Sequence, residues 1–115
     1  MIQAKSLTFA IHVVKLCKHL AEGRKEYVLS KQLLRSGTAI GALVREAEHA
    51  QSKADFLNKM NIALKEANET CYWLLLLKET EYITESEYAS IHRDSEELLK
   101  ILVSIVKTTK QKMNK

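Results

Sequence analysis

No proline interrupts the 115 residues of this chain, and only three glycines do. Both residues punctuate the tight turns that sheet proteins need. Their scarcity argues against an all-β fold and favours long, unbroken helices. At 46% hydrophobic and 28% charged, the chain is globular rather than disordered. One domain of this size buries roughly two-thirds of its unfolded surface, enough for a core without covalent staples.

Four segments carry helical periodicity. In the first, residues 6–21, Leu7, Ala10, Val14, Cys17 and Ala21 recur at spacings of three and four, and Ile11, Val13, Leu16 and Leu20 widen the stripe. Gly23 then reads as its C-terminal stop. The second spans 29–50 and turns Leu33, Ile40, Val44 and Ala47 inward. It keeps two glycines one turn apart, Gly37 and Gly41. Each costs about 1 kcal/mol against alanine inside a helix, so this spacing predicts a neighbouring helix packed very close.

The third segment, 53–80, opens on a capping signal, Ser52 followed by Asp55. It directs Phe56, Met60, Ala63, Ala67, Thr70 or Cys71, Leu74 and Leu77 to one side. The fourth, 85–109, opens on the capping box Thr84-Glu-Ser-Glu87. There Tyr88, Ile91, Ser95, Leu98, Leu102 and Ile105 repeat at about the coiled-coil period. Four amphipathic helices with short connections fold most simply as an all-α, antiparallel up-and-down four-helix bundle, one domain over 1–115.

Residues 73–77, Trp-Leu-Leu-Leu-Leu, are apolar around more than a full helical turn. In a small bundle every helix has an outer face, so Tyr72, Trp73, Leu75 and Leu76 are candidates for contact with another subunit. Polar residues at the inner edges of the second and third helices suggest a structural network. It would comprise Arg35, Glu46, Lys59, Glu66 and Glu69, with Glu46–Lys59 and Arg35–Glu69 as natural pairs.

The net charge of +4 conceals polarity. Residues 79–99 hold one basic residue against seven acids, whereas 100–115 hold five lysines and no acid. Lys5, Lys15 and Lys18 on the first helix, and Lys100, Lys107, Lys110, Lys112 and Lys115 on the fourth, are candidate phosphate contacts. No aromatic residues interleave with them to stack bases, so such binding would be sequence-tolerant and salt-sensitive. Lysines at a helix end also suit the helix dipole without any ligand.

Catalytic signatures are missing. Glu46 and His49 form a single Glu-x-x-His step, half of what a di-metal carboxylate bundle needs. There is no phosphate loop or nucleophile elbow, and two isolated cysteines do not make a zinc site. No cofactor or metal is expected. Cys17 and Cys71 read as free thiols of a reducing compartment. The longest apolar run, 72–77, is too short to span a bilayer, and a cytoplasmic protein without membrane association is expected.

Three stretches carry a resemblance: QLLRSGTAIGALVREA at 32–47, SKADF at 52–56, and IALKEANETCYWL at 62–74 with Lys59 before it. They resemble the four-helix proteins named for intervening sequences in 23S ribosomal-RNA genes. The segment after the second glycine has Leu43 where that family usually carries asparagine. The resemblance implies a bundle assembled as a homopentameric ring. It also implies similarity to the accessory variability proteins of diversity-generating retroelements, which bind nucleic acid and a reverse transcriptase. No catalytic residue comes with it. The expectation is therefore a non-enzymatic oligomeric adaptor with RNA, DNA or a nucleic-acid-processing protein as partner. A purely structural or protein-interaction module is the alternative, and a metal-dependent bundle enzyme the second.

Overall fold

A computed structural model describes residues 1–114 of the chain; Lys115 lies outside the described residues. Four helices follow one another: α1 (Ile2–Gly23), α2 (Val28–Glu48), α3 (Lys53–Glu79) and α4 (Glu85–Met113). Each packs on its neighbours in chain order, α4 closes back onto α1, and the diagonal pairs have no close backbone approach. The result is an up-and-down bundle measuring 51 × 21 × 21 Å, with no strand among the described residues.

Leu33, Ile40, Val44 and Ala47 of α2 are buried, as are Met60, Ala63, Ala67, Thr70, Leu74 and Leu77 of α3. They meet Ile91, Leu98 and Leu102 of α4 in one core, against which Leu43 is half-buried. Val106 completes the α4 stripe in place of Ile105.

Helix α1 departs most from its periodicity. It starts at Ile2, four residues before the pattern, because Ile2 itself is buried against the core. Its inward face is Phe9, Val13, Leu16 and Leu20. Leu7 and Val14, expected inside, are exposed together with Ile11. The rotation follows from α2. A Cβ on Gly37 would lie 2.8 and 2.9 Å from the two Val13 methyls, so Val13 occupies the space a side chain would need. At Gly41 the same construction meets only Ser6, at an ordinary 3.5 Å. Of the two glycines, only Gly37 is demanded by contact.

The other helix ends are set by caps. Helix α4 runs four residues past the expected 109, its lysines near the negative end of the dipole. Helix α2 spans 28–48 rather than 29–50, and α3 stops at Glu79 rather than at residue 80. Ser52 accepts from the Asp55 amide, and the Thr84–Glu87 capping box is complete.

Gly23 is not the stop it was expected to be. It remains helical, and the left-handed residue is Lys25, with φ of 54°. The next helix begins under the carboxylate of buried Glu26, which accepts from the amides of Leu29 (3.0 Å) and Ser30 (2.8 Å). Helix α3 ends in a Schellman turn: the Tyr82 amide donates to Leu77 and the Glu81 amide to Lys78, with Glu81 left-handed at φ 65°. Arg24 ties these two loops together. It donates to the carbonyls of Glu81 and Tyr82 and lies 5.2 Å from the centroid of the Tyr82 ring.

Candidate functional site

Three sets of residues compete for a functional role, and the bundle separates them. The polar network lies on the α2–α3 seam. Arg35 reaches Glu66 at 3.1 Å and also pairs with Glu69, whose Oε2 accepts from the Trp73 indole at 3.0 Å. The Trp73 hydrogen bond, aided by Arg35, holds the Glu69 carboxyl below its ordinary pKa. Lys59 reaches Glu46 at 3.2 Å. Beneath these pairs the buried Thr70 hydroxyl donates to Ser36 at 2.9 Å. Each charge of the cluster has a partner across the α2–α3 seam.

Other potential chemistry is equally committed. Glu46 faces Lys59, and His49 is the exposed C-cap of α2. Among the described residues, no three His, Cys, Asp or Glu side chains are grouped to hold a metal ion. Burial, with Glu26 nearby, pushes the Cys17 thiol up to about 11. Burial also raises Cys71, despite a hydrogen bond with Ser95. Both shifts run against a nucleophilic thiolate.

The lysines divide. Lys5 is paired with Glu97 across the α1–α4 seam, where His12 meets Asp94 at 3.1 Å and His19 lies 3.9 Å from Glu87. Lys15 and Lys18 are exposed farther along α1, and Lys100 on α4. Lys18 lies roughly 28 Å along the bundle from the level of Lys107, at about 1.5 Å rise per residue. The candidate lysines therefore do not form one patch. Lys107, Lys110 and Lys112 do share an end of the bundle, the one that also holds the α2–α3 connection with Arg45 and Lys53. All five side chains are exposed. The opposite end, where the other two connections meet, carries Glu22, Glu79, Glu81 and Glu85 beside Arg24 and Lys25, while Glu48 is exposed at the lysine-rich end.

The all-apolar turn is split as well. Tyr72 and Leu75 are 57% and 43% exposed, whereas Leu76 is half-buried and Trp73 packs against the core. Tyr72 stands edge-on to Trp73 with ring centroids 5.2 Å apart. A second apolar surface escapes the sequence pattern. Leu7, Ile11 and Val14 of α1 and Leu34 of α2 are each between 39% and 48% exposed. Of these, Val14 and Leu34 line a groove of about 290 Å³ between α1 and α2, together with Tyr27, Lys18 and Lys31. The signal was available: α1 has more apolar positions than one face can hold.

The family described as 23S rRNA-intervening sequence protein matches residues 1–104. The chain belongs to this family. A solved structure from the S23 ribosomal protein family, a protein of unknown function from Bacteroides thetaiotaomicron VPI-5482 determined at 1.70 Å, is similar throughout. It is 62% identical, covers 93% of this chain and 99% of its own, and superposes with a TM-score of 0.92. No curated protein matches. The match to the intervening-sequence family spans α1 to α3 and most of α4. The last turns of α4, with Lys107, Lys110 and Lys112, lie beyond the matched residues. No helix is long and apolar enough to cross a membrane, among the described residues.

Proposed function

We propose that this protein is a non-enzymatic, self-associating helical-bundle adaptor of the cytoplasm that contacts nucleic-acid phosphates through one basic end. The observation that carries the reading is the gathering of Arg45, Lys53, Lys107, Lys110 and Lys112, all exposed, where α2, α3 and α4 converge. Lysines held as point charges at a helix C-terminus suit phosphate oxygens and read no base edges. Lys5, which is already paired, drops out of the proposed contact set, and Lys15, Lys18 and Lys100 become peripheral to it. Self-association accords with the two exposed apolar surfaces, and the family resemblance suggests a ring of five. In such a ring every copy would turn its basic end to the same rim, multiplying weak phosphate contacts.

Fluorescence anisotropy with single- and double-stranded RNA and DNA across a salt series tests this. The wild type is expected to bind at low salt with a steep salt dependence. Replacing Lys107, Lys110 and Lys112 by glutamine should flatten the slope of log K against log salt by up to about 2–3. Unchanged binding in that variant overturns the assignment of the end. No binding at low salt leaves the protein-interaction module, which the exposed apolar surfaces favour.

A further inference from the structure

The two exposed apolar surfaces lie on different sides of the bundle, and one is a groove while the other is a ridge. The groove runs between α1 and α2, with Val14 and Leu34 at its centre. The ridge is the outer side of α3, where Tyr72 and Leu75 project. Because α1 and α3 are diagonal, with no close backbone approach, their outer surfaces point different ways and one molecule can use both at once.

Their heights along the bundle can be read from cross-helix contacts. Cys17 donates to the Ser30 carbonyl, and Val13 sits against Gly37, which places Val14 level with Leu34 to within about a turn. Ser36 meets Thr70 and Arg35 meets Glu69, which places Leu34 level with Tyr72. Groove and ridge therefore share one level. Closure of a ring requires this level match as well as a suitable rotation. A head-to-tail contact between different surfaces makes a ring when the rotation closes and a helical filament when it does not. With bundles side by side, equal height means no translation per copy.

Charge follows the same register. Lys18 and Lys31 border the groove toward the loop end of the bundle. Glu79, one turn past Leu75 on α3 and 64% exposed, borders the ridge toward that end. Toward the other end the ridge carries Lys65, and beyond the groove α1 and α2 continue with the uncharged Leu7, Ile11 and Thr38. Laid together in parallel, the surfaces bring Glu79, which with Glu85 flanks Lys78, near Lys18 and Lys31.

We infer that the α1–α2 groove receives the Tyr72–Leu75 ridge of a second copy of this chain, head to tail, with Glu79 near Lys18 and Lys31. The inference rests on the self-association proposed above and adds which surfaces meet.

Cross-linking tests it in a chain whose Cys17 and Cys71 are replaced by alanine and whose fold is checked by circular dichroism. Leu34→Cys and Tyr72→Cys are introduced singly and together, and treated with a short bismaleimide. Neither single variant is expected to cross-link to itself. Their mixture should give a dimer, and the double variant a ladder ending at the mass seen by sedimentation. Leu75→Glu, at an exposed position, should abolish the assembly while leaving the helical signal unchanged. Self-cross-linking of either single variant shows a symmetric interface and overturns the inference. An oligomer by sedimentation with no mixed cross-link also overturns it, while leaving self-association intact. A monomer at micromolar concentration removes both.

Discussion

Ion pairs cross two opposite seams of this bundle, α2–α3 and α1–α4, yet they do different things. On α2–α3 the pairs of Arg35 with Glu66 and Glu69 lie over a buried Thr70–Ser36 hydrogen bond and include the indole of Trp73. On α1–α4 the pairs of Lys5, His12 and His19 with Glu97, Asp94 and Glu87 are partly solvated, and the grooves beside them are open. Exposed pairs contribute little, and a pair coupled to buried hydrogen bonds contributes through the geometry it fixes. Helix α1 must therefore be held mainly by its apolar face and by its contact with α2.

If so, the strongest way to loosen α1 is through α2. Gly37→Ala places a methyl against buried Val13. Overpacking costs about 1–3 kcal/mol, and the gain in helix propensity returns about 1 kcal/mol, for a net loss of up to about 2 kcal/mol. Gly41→Ala, which meets Ser6 at ordinary distance, should instead be neutral or stabilising by up to about 1 kcal/mol. Urea melts of both variants and of the Gly37→Ala, Val13→Ala double variant check this. Equal effects at the two glycines would break the packing account.

The α2–α3 seam makes a pH prediction. Because the pKa of Glu69 is lowered in the fold, its contribution is fully present above the unfolded carboxylate value of 4.5. It is lost as pH falls through the lower folded value. Trp73 is the sole tryptophan and donates to this carboxylate. Its fluorescence should therefore titrate below pH 4.5 in the wild type and lose that transition in Glu69→Gln. A transition that persists in the variant would detach Trp73 from the seam.

The two seams were unequally readable in the sequence. Arg35, Glu46, Lys59, Glu66 and Glu69 lie beside the apolar stripes of α2 and α3, so the pairs Glu46–Lys59 and Arg35–Glu69 could be anticipated, although Arg35 and Glu46 turn out exposed. Lys5 belongs to α1, whose apolar residues surround it on nearly every side, and periodicity there does not single out the buried face. The face was chosen by Val13 fitting over Gly37, a contact between segments that no local pattern contains. The same ambiguity hid the Leu7–Ile11–Val14 surface. Glu26 was missed for a related reason: a carboxylate reaching forward to cap its own helix looks, in sequence, like any charged residue of a loop.

The smallest effect belongs to the α1–α4 pairs. Lys5→Gln and Asp94→Asn should each cost only a few tenths of a kcal/mol, the scale of exposed pairs, and less as salt is raised. If each variant instead loses more than about 1 kcal/mol at high salt, the seam is structural and the comparison with α2–α3 fails. Hydrogen exchange separates the alternatives further. A weak α1–α4 seam predicts that Lys5→Gln leaves α1 amide protection almost unchanged, whereas Gly37→Ala lowers it along all of α1.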